Sequence, residues 1–176
     1  MNRLKFLPLT LAVFSILVFS FSIFGHEQYL KHSRTIYIEL APVDPRSLLQ
    51  GDYMVLNYLL NFVDQENSAH HLKQHEFMTY VQLDHKQRIR HLAFDQSAFP
   101  NGTYQPLMIK NPRQNLRDLY PAANSFMFAE GLEPCYREAK FAELKVNDIG
   151  KAMLVGLFDK HLKSLQCESQ QRWHKG

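Results

Sequence analysis

From Phe6 to Gly25 the chain reads FLPLTLAVFSILVFSFSIFG, a stretch without a single charge, and a helix needs about twenty such residues to cross the hydrocarbon core of a bilayer. Two readings compete for it, a cleaved signal peptide and a permanent anchor. The apolar region of a signal peptide is usually about 7 to 15 residues long and ends in small residues at the cleavage site. Here Ile23 and Phe24 crowd Gly25, and Ser20 with Ser22 offers only an imperfect site, so the anchor is the expectation. Arg3 and Lys5 precede the apolar stretch, and positive charges flanking a first span stay cytoplasmic. The expected arrangement is therefore a single-pass protein of the bacterial inner membrane: residues 1–5 in the cytoplasm, 6–25 in the lipid bilayer, and everything beyond in the periplasm.

The remainder is long enough for one domain with a real core. Arg3 and Lys5 carry two of the net +3 charges, which leaves +1 for the exported part. Basic and acidic residues alternate along it without a basic run, so a nucleic-acid partner is not expected. Cys135 and Cys167 are the only cysteines, and in an oxidising compartment they are expected to pair, tying the tail to the domain. The alternative is two unpaired thiols. Their spacing fits neither a redox CxxC nor a zinc site, and no cofactor is implied.

Periodicity points to a mainly β (α+β) domain over residues 35–160, antiparallel, with one or two short helices, after a polar juxtamembrane linker at 26–34 and before a polar, mobile tail at 161–176. TIYIEL at 35–40 alternates Ile36, Ile38 and Leu40 against Tyr37 and Glu39, the period of a half-buried strand. Residues 44–51 carry the marks of a short helical turn, with Asp44 as N-cap, Pro45 at the first position and Gly51 as the exit. A strand rich in β-formers follows from Asp52 to Val63, with Met54, Leu56, Tyr58 and Leu60 on one face; because both faces are apolar it is expected to be central. Two hairpins are expected, 77–83 with 88–94 and 141–146 with 151–158, and Pro106 marks 103–110 as an edge strand. SFMFA at 125–129 reads as a short strand and 134–140 as a helix with proline at its start.

The anchor, the stretch APVDPRSLLQGDYMVLNY and the closing AELKVNDIGKAMLVGL together resemble the bacterial GDYxxLxY family, whose motif stands here as Gly51, Asp52, Tyr53, Leu56 and Tyr58. The likeness runs from Ile36 to Leu157. In the later part the family tends to show an aromatic pair followed by Pro-Glu-Gly, where this chain has Phe126-Met127-Phe128-Ala129-Glu130-Gly131, without the proline. The resemblance implies an accessory protein working beside a polytopic membrane protein, and it brings neither a reaction nor a ligand with it.

The residues themselves nominate a few places for chemistry. Arg46 and Asp52 can close on each other as a structural clamp, or Arg46 can offer its guanidinium to an anion or a peptide terminus; Glu130 is the third charged residue of interest. Tyr53 and Tyr58 fall on opposite faces of one strand. His71 and His75 are four apart, a spacing metal sites use on a helix, but the surrounding HHLKQH is polar and a solvated loop is the stronger reading. The expected function is thus a membrane-anchored periplasmic accessory or binding module, using the groove beside the Gly51 strand. The alternative is a signal-peptidase-like or other hydrolase barrel, degenerate because no serine stands where a nucleophile would and no lysine base follows Gly51 in the strand.

Overall fold

The computed structural model of the chain describes residues 7–41, 46–48, 51–64, 71–99, 102, 104–115 and 118–168. Two compact units divide at Ser33 and Arg34. The first is helix α1, Leu7–His32, whose segment Leu11–Tyr29 is long and apolar enough to cross a membrane. Its apolar side chains are exposed along its length, Phe14, Phe19 and Phe21 among them. A helix whose apolar side chains face outward all round suits lipid rather than water. Ser15 costs little there because its hydroxyl donates to the Leu11 carbonyl at 2.9 Å.

The second unit is mainly antiparallel β, as its alternation dictates. Among the described residues nine strands, β1 (Arg34–Glu39), β2 (Arg46–Leu48), β3 (Gly51–Val55), β4 (Glu76–Leu83), β5 (Ile89–Ala93), β6 (Tyr104–Lys110), β7 (Ser125–Phe128), β8 (Phe141–Val146) and β9 (Ala152–Phe158), are accompanied by the short helix α2 (Glu133–Tyr136). They form three sheets ordered β1-β8-β9, β2-β3-β7 and β5-β4-β6. Inward positions every second residue build one core: Ile36 and Ile38 from β1, Val81 from β4, Leu107 and Ile109 from β6, Leu144 from β8. Thr79, the one hydroxyl in that inward row of β4, donates to the Leu107 carbonyl at 2.7 Å, so burying it leaves no orphan donor.

The chain after β3 joins the sheets. The amide of Leu56 donates to Asn124, that of Leu59 to Glu39 and that of Val63 to Leu92, each at 2.9 Å. One extended segment thus touches β1, β5 and the loop before β7 in turn. β6 is an edge strand whose neighbour among the named strands is β4, where Pro106 is tolerated. Its open side is partly covered by the turn after β8, through a bond from the Met108 amide to the Gly150 carbonyl at 2.8 Å. Gly150 itself sits at φ +80 with Met78 Sδ 2.9 Å from where a Cβ would be, a position only glycine fills without strain.

Four expectations differ from the fold. Arg46–Leu48 is a strand, not a helical turn, because its backbone pairs with Gly51–Tyr53 in register Arg46 to Tyr53 and Leu48 to Gly51; pairing to β3 outweighs the local capping signals at Asp44 and Pro45, which lie outside the described residues. The 52–63 strand is central only through Val55, between β2 and β7, and its second face is exposed. The helix expected at 134–140 ends at Tyr136, since the Lys140 amide is claimed by Phe158 and its carbonyl by Leu40. Residues 161–168, expected in a mobile tail, fold back: Asp159 Oδ1 accepts from the amides of His161 and Lys163, and the Leu165 amide donates to Leu157 at 2.9 Å.

The β4–β5 turn is organised by Asp84, whose Oδ1 accepts from the amides of Lys86 and Arg88 and whose Oδ2 accepts from Arg88 Nε at 2.8 Å. Burial pushes this carboxyl up, but those N–H bonds and the Arg88 charge outweigh it and hold it at about 2. A depressed folded value gives stability that is present above the ordinary carboxyl range and lost as pH falls toward 2. Asp84→Ala is therefore expected to cost about 2 kcal/mol at neutral pH and to flatten the acid limb of thermal unfolding between about pH 4 and pH 2.

Candidate functional site

The exposed second face of the segment after β3 opens onto a groove of about 1040 Å³. One wall is residues 55–60; the other is Pro112, Arg113 and Asp118 to Tyr120, with Asn124 and Ala41 closing it. Alternation gives the first wall two kinds of residue. Leu56 and Tyr58 point into the core, 4% and 9% exposed, while Val55 and Leu59 keep 38% and 40% of their surface. Leaving β-branched and aliphatic side chains in water forgoes about 25 cal/mol per Å², so Val55 and Leu59 are apolar surface that the fold leaves open to the groove.

The second wall is held rigid by polar side chains. Asn115 Nδ2 donates to Asp118 Oδ2 at 2.7 Å, and the Asp118 amide returns a bond to Asn115 Oδ1 at 3.0 Å. Arg113 reaches the other Asp118 oxygen at 3.5 Å, an exposed pair that adds little stability but places a cation at the rim. Tyr120 bridges to Lys110 by paired backbone bonds of 2.9 and 3.1 Å, and the Lys110 ammonium stands 5.9 Å from its ring centre. Asn111, fully buried, fixes the loop from below by donating to the Leu72 carbonyl at 2.8 Å and accepting from the Asn115 amide at 2.9 Å.

Tyr58 connects the two walls. Its hydroxyl donates to the Ala123 carbonyl at 2.6 Å, and burial, only partly relieved by that bond, raises its pKa. Tyr58→Phe is expected to lower stability by about 1 to 2 kcal/mol, since a carbonyl would lose its donor. The raised value also sets a sign: stability is complete below pH 10 and declines as the pH rises through the folded pKa. The wild type should therefore lose stability above about pH 10 more steeply than Tyr58→Phe, measured by thermal unfolding across pH 8 to 11.

The nominated residues divide around this groove. Leu56 and Tyr58 line it; Tyr53, half-buried on the opposite face from Tyr58, does not. Arg46 and Asp52 are not direct cross-strand partners, since the register sets Arg46 against Tyr53 and Asp52 against Ser47; the side chains of Arg46, Gly51 and Asp52 lie outside the described residues. Glu130 is exposed beyond β7, before Gly131 at φ +84. His71 stacks on Phe94 at 5.0 Å and lies 5.9 Å from Phe77, a packing role, while His75 is exposed just before β4; among the described residues no three metal-ligating side chains cluster. The 112–124 wall was the part sequence reasoning missed. Its signal was Leu119-Tyr120, an apolar pair inside a polar stretch bounded by Pro112 and Pro121.

Cys135 and Cys167 form a disulfide, so no free thiol is present. The bridge joins α2 to the returning tail, beside Tyr136, whose hydroxyl donates to both Glu168 oxygens at 2.6 and 2.7 Å and whose ring packs 5.1 Å from Phe126 and from Phe128 of β7. Ser15, Ser33 and Thr79 each donate to a backbone carbonyl, whereas the Thr35 hydroxyl accepts from Lys145 Nζ at 2.7 Å.

Compared with known proteins, the chain matches the family model described as GDYXXLXY protein over residues 15–157, from within the apolar helix to the penultimate residue of β9. Neither the curated proteins nor the solved structures contain a match.

Proposed function

The chain belongs to the GDYXXLXY protein family, and from that premise we propose that it is a membrane-anchored binding module whose groove takes an extended, mainly apolar polypeptide segment presented outside the bilayer by an integral-membrane partner. The observation that carries this is the position of the family motif: Leu56 and Tyr58 form the floor of the groove, and the residues flanking them, Val55 and Leu59, remain exposed in it. A motif needed only for packing would not have to leave its alternate residues open to solvent. In this reading α1 spans the bacterial inner membrane once, residues 1–5 are cytoplasmic and the β domain is periplasmic, in keeping with Arg3 and Lys5 before the apolar stretch.

A hydrolase needs a nucleophile within reach of a base; the disulfide takes both sulfurs, and the one threonine hydroxyl that meets a lysine among the described residues, Thr35 accepting from Lys145 Nζ at 2.7 Å, does not line the groove. Binding is the reading with positive support. Leu59→Glu places a charge in the groove at a position already exposed, so the fold should hold. Affinity purification from gently solubilised membranes is expected to recover an integral-membrane protein with the wild type and to lose it with Leu59→Glu at unchanged melting temperature. Recovery of the same protein with both, or of none with the wild type, would remove the proposal.

A further inference from the structure

The charges that alternate evenly along the sequence are not evenly spread on the folded domain. β1 starts at Arg34, which pairs with Val146, so the β8–β9 turn with exposed Lys151 lies at that end. The β4–β5 turn is fastened to the same place: Arg34 Nε donates to Gln87 Oε1 at 3.0 Å and the Tyr37 amide to the Gln87 carbonyl at 2.9 Å. This turn contributes His85, Lys86 and Arg88, and the start of β5 adds Arg90. Asp84 and Asp148 oppose them, but Asp84 is shared between two guanidiniums, Arg88 at 2.7 Å and Arg90 at 3.2 Å, which leaves the turn cationic. Arg34, Lys86, Arg90 and Lys151 are exposed. At the other end of β1, where Glu39 pairs with Phe141, Glu133, Glu138, Asp159 and Glu168 stand among the lysines and arginines, and no such excess builds up among the described residues.

We propose that this basic rim docks on the anionic phosphate headgroups of the bilayer that carries α1. The proposal rests on α1 being a membrane span. Arg34 follows Tyr29, the last residue of the apolar segment, by five positions, so even fully extended chain keeps it within about 18 Å of that segment's end. Tethering at that range makes a weak attraction effective, and each Lys or Arg at an anionic surface shifts the docked-to-free ratio about fivefold. Arginine adds its paired donors, which match a phosphate. An acidic protein would meet the same charges but has no tether holding it there.

The test uses the full chain in vesicles of phosphatidylcholine alone and with phosphatidylglycerol added, reading amide hydrogen exchange over residues 84–91. Exchange is expected to slow in the anionic vesicles and to recover in high salt. Lys86→Gln with Arg90→Gln should weaken docking by about 25-fold; its thermal unfolding in the neutral vesicles, matched to wild type, shows that the domain is intact. Equal exchange in both vesicle types would overturn the proposal, as would slowing seen only in native membranes and not in pure lipid, which would assign the rim to an acidic protein. Release of the chain by alkaline carbonate would instead overturn the anchor itself, whatever the exchange data show.

Discussion

Replacing Cys135 and Cys167 together by serine is expected to lower stability by about 3 to 4 kcal/mol. The bridge closes a separation of 32 residues, and the loop-closure entropy it removes from the unfolded chain has that size in the chain-entropy model. More than entropy is involved. Cys167 is fully buried, and the bridge holds Glu168 under the Tyr136 hydroxyl while Tyr136 backs β7. Thermal unfolding with and without reductant should show the same drop as the double variant, and the double variant should no longer respond to reductant. Amides of 159–168 should exchange at the rate of local opening once the bridge is gone. A melting temperature insensitive to both changes would mean that the returning tail contributes nothing to the domain.

Leu56→Ala is expected to cost about 2 to 5 kcal/mol, the range for emptying a packed leucine site. Leu56 belongs to the buried cluster with Met54, Tyr58 and Phe128, and its amide is bonded to the Asn124 carbonyl, so the surrounding backbone is pinned on both sides and can collapse little into the gap. Denaturant unfolding gives the value directly. Val55→Ala and Leu59→Ala, one and three residues away on the open face, should change stability by less than about 1 kcal/mol while weakening capture of the partner. This split is what separates the two roles of the motif segment, with alternate residues serving the core and the groove.

Much of this architecture was legible because period-2 patterning speaks loudly in a β domain. Ile36, Ile38 and Leu40, the two hairpins, the edge placement of the strand with Pro106 and the apolar helix all follow from spacing and charge. What was not legible depends on long-range pairing. Nothing within residues 44–51 says that Arg46–Leu48 will find β3, and Asp44 with Pro45 gives a local helix signal that tertiary hydrogen bonds override. The second face of the 52–63 strand illustrates the same limit: Val55 and Leu59 read as buried because they are apolar, whereas the fold leaves them open. The groove wall at 112–124 and the basic rim at Arg34 are both assembled from segments that meet only on folding. Arg34 and Lys86 are fifty-two positions apart, yet Arg34 is bonded to the very next residue, Gln87.

Groove and rim lie toward opposite ends of β1, whose six residues span about 20 Å. A domain docked by its rim would therefore present the groove well above the headgroups, where a loop or tail of a membrane protein can reach it and the bilayer interior cannot. This geometry gives a partner of the kind proposed above access while the domain stays tethered.

The most direct test of the binding reading is a photo-crosslinking residue placed at Leu59, compared with one at Val155, which is 48% exposed on β9. In intact membranes the account predicts a crosslink from position 59 to an extramembrane segment of one integral-membrane protein, and none to that protein from position 155. Equal crosslinking from the two positions, or none from position 59, would contradict it.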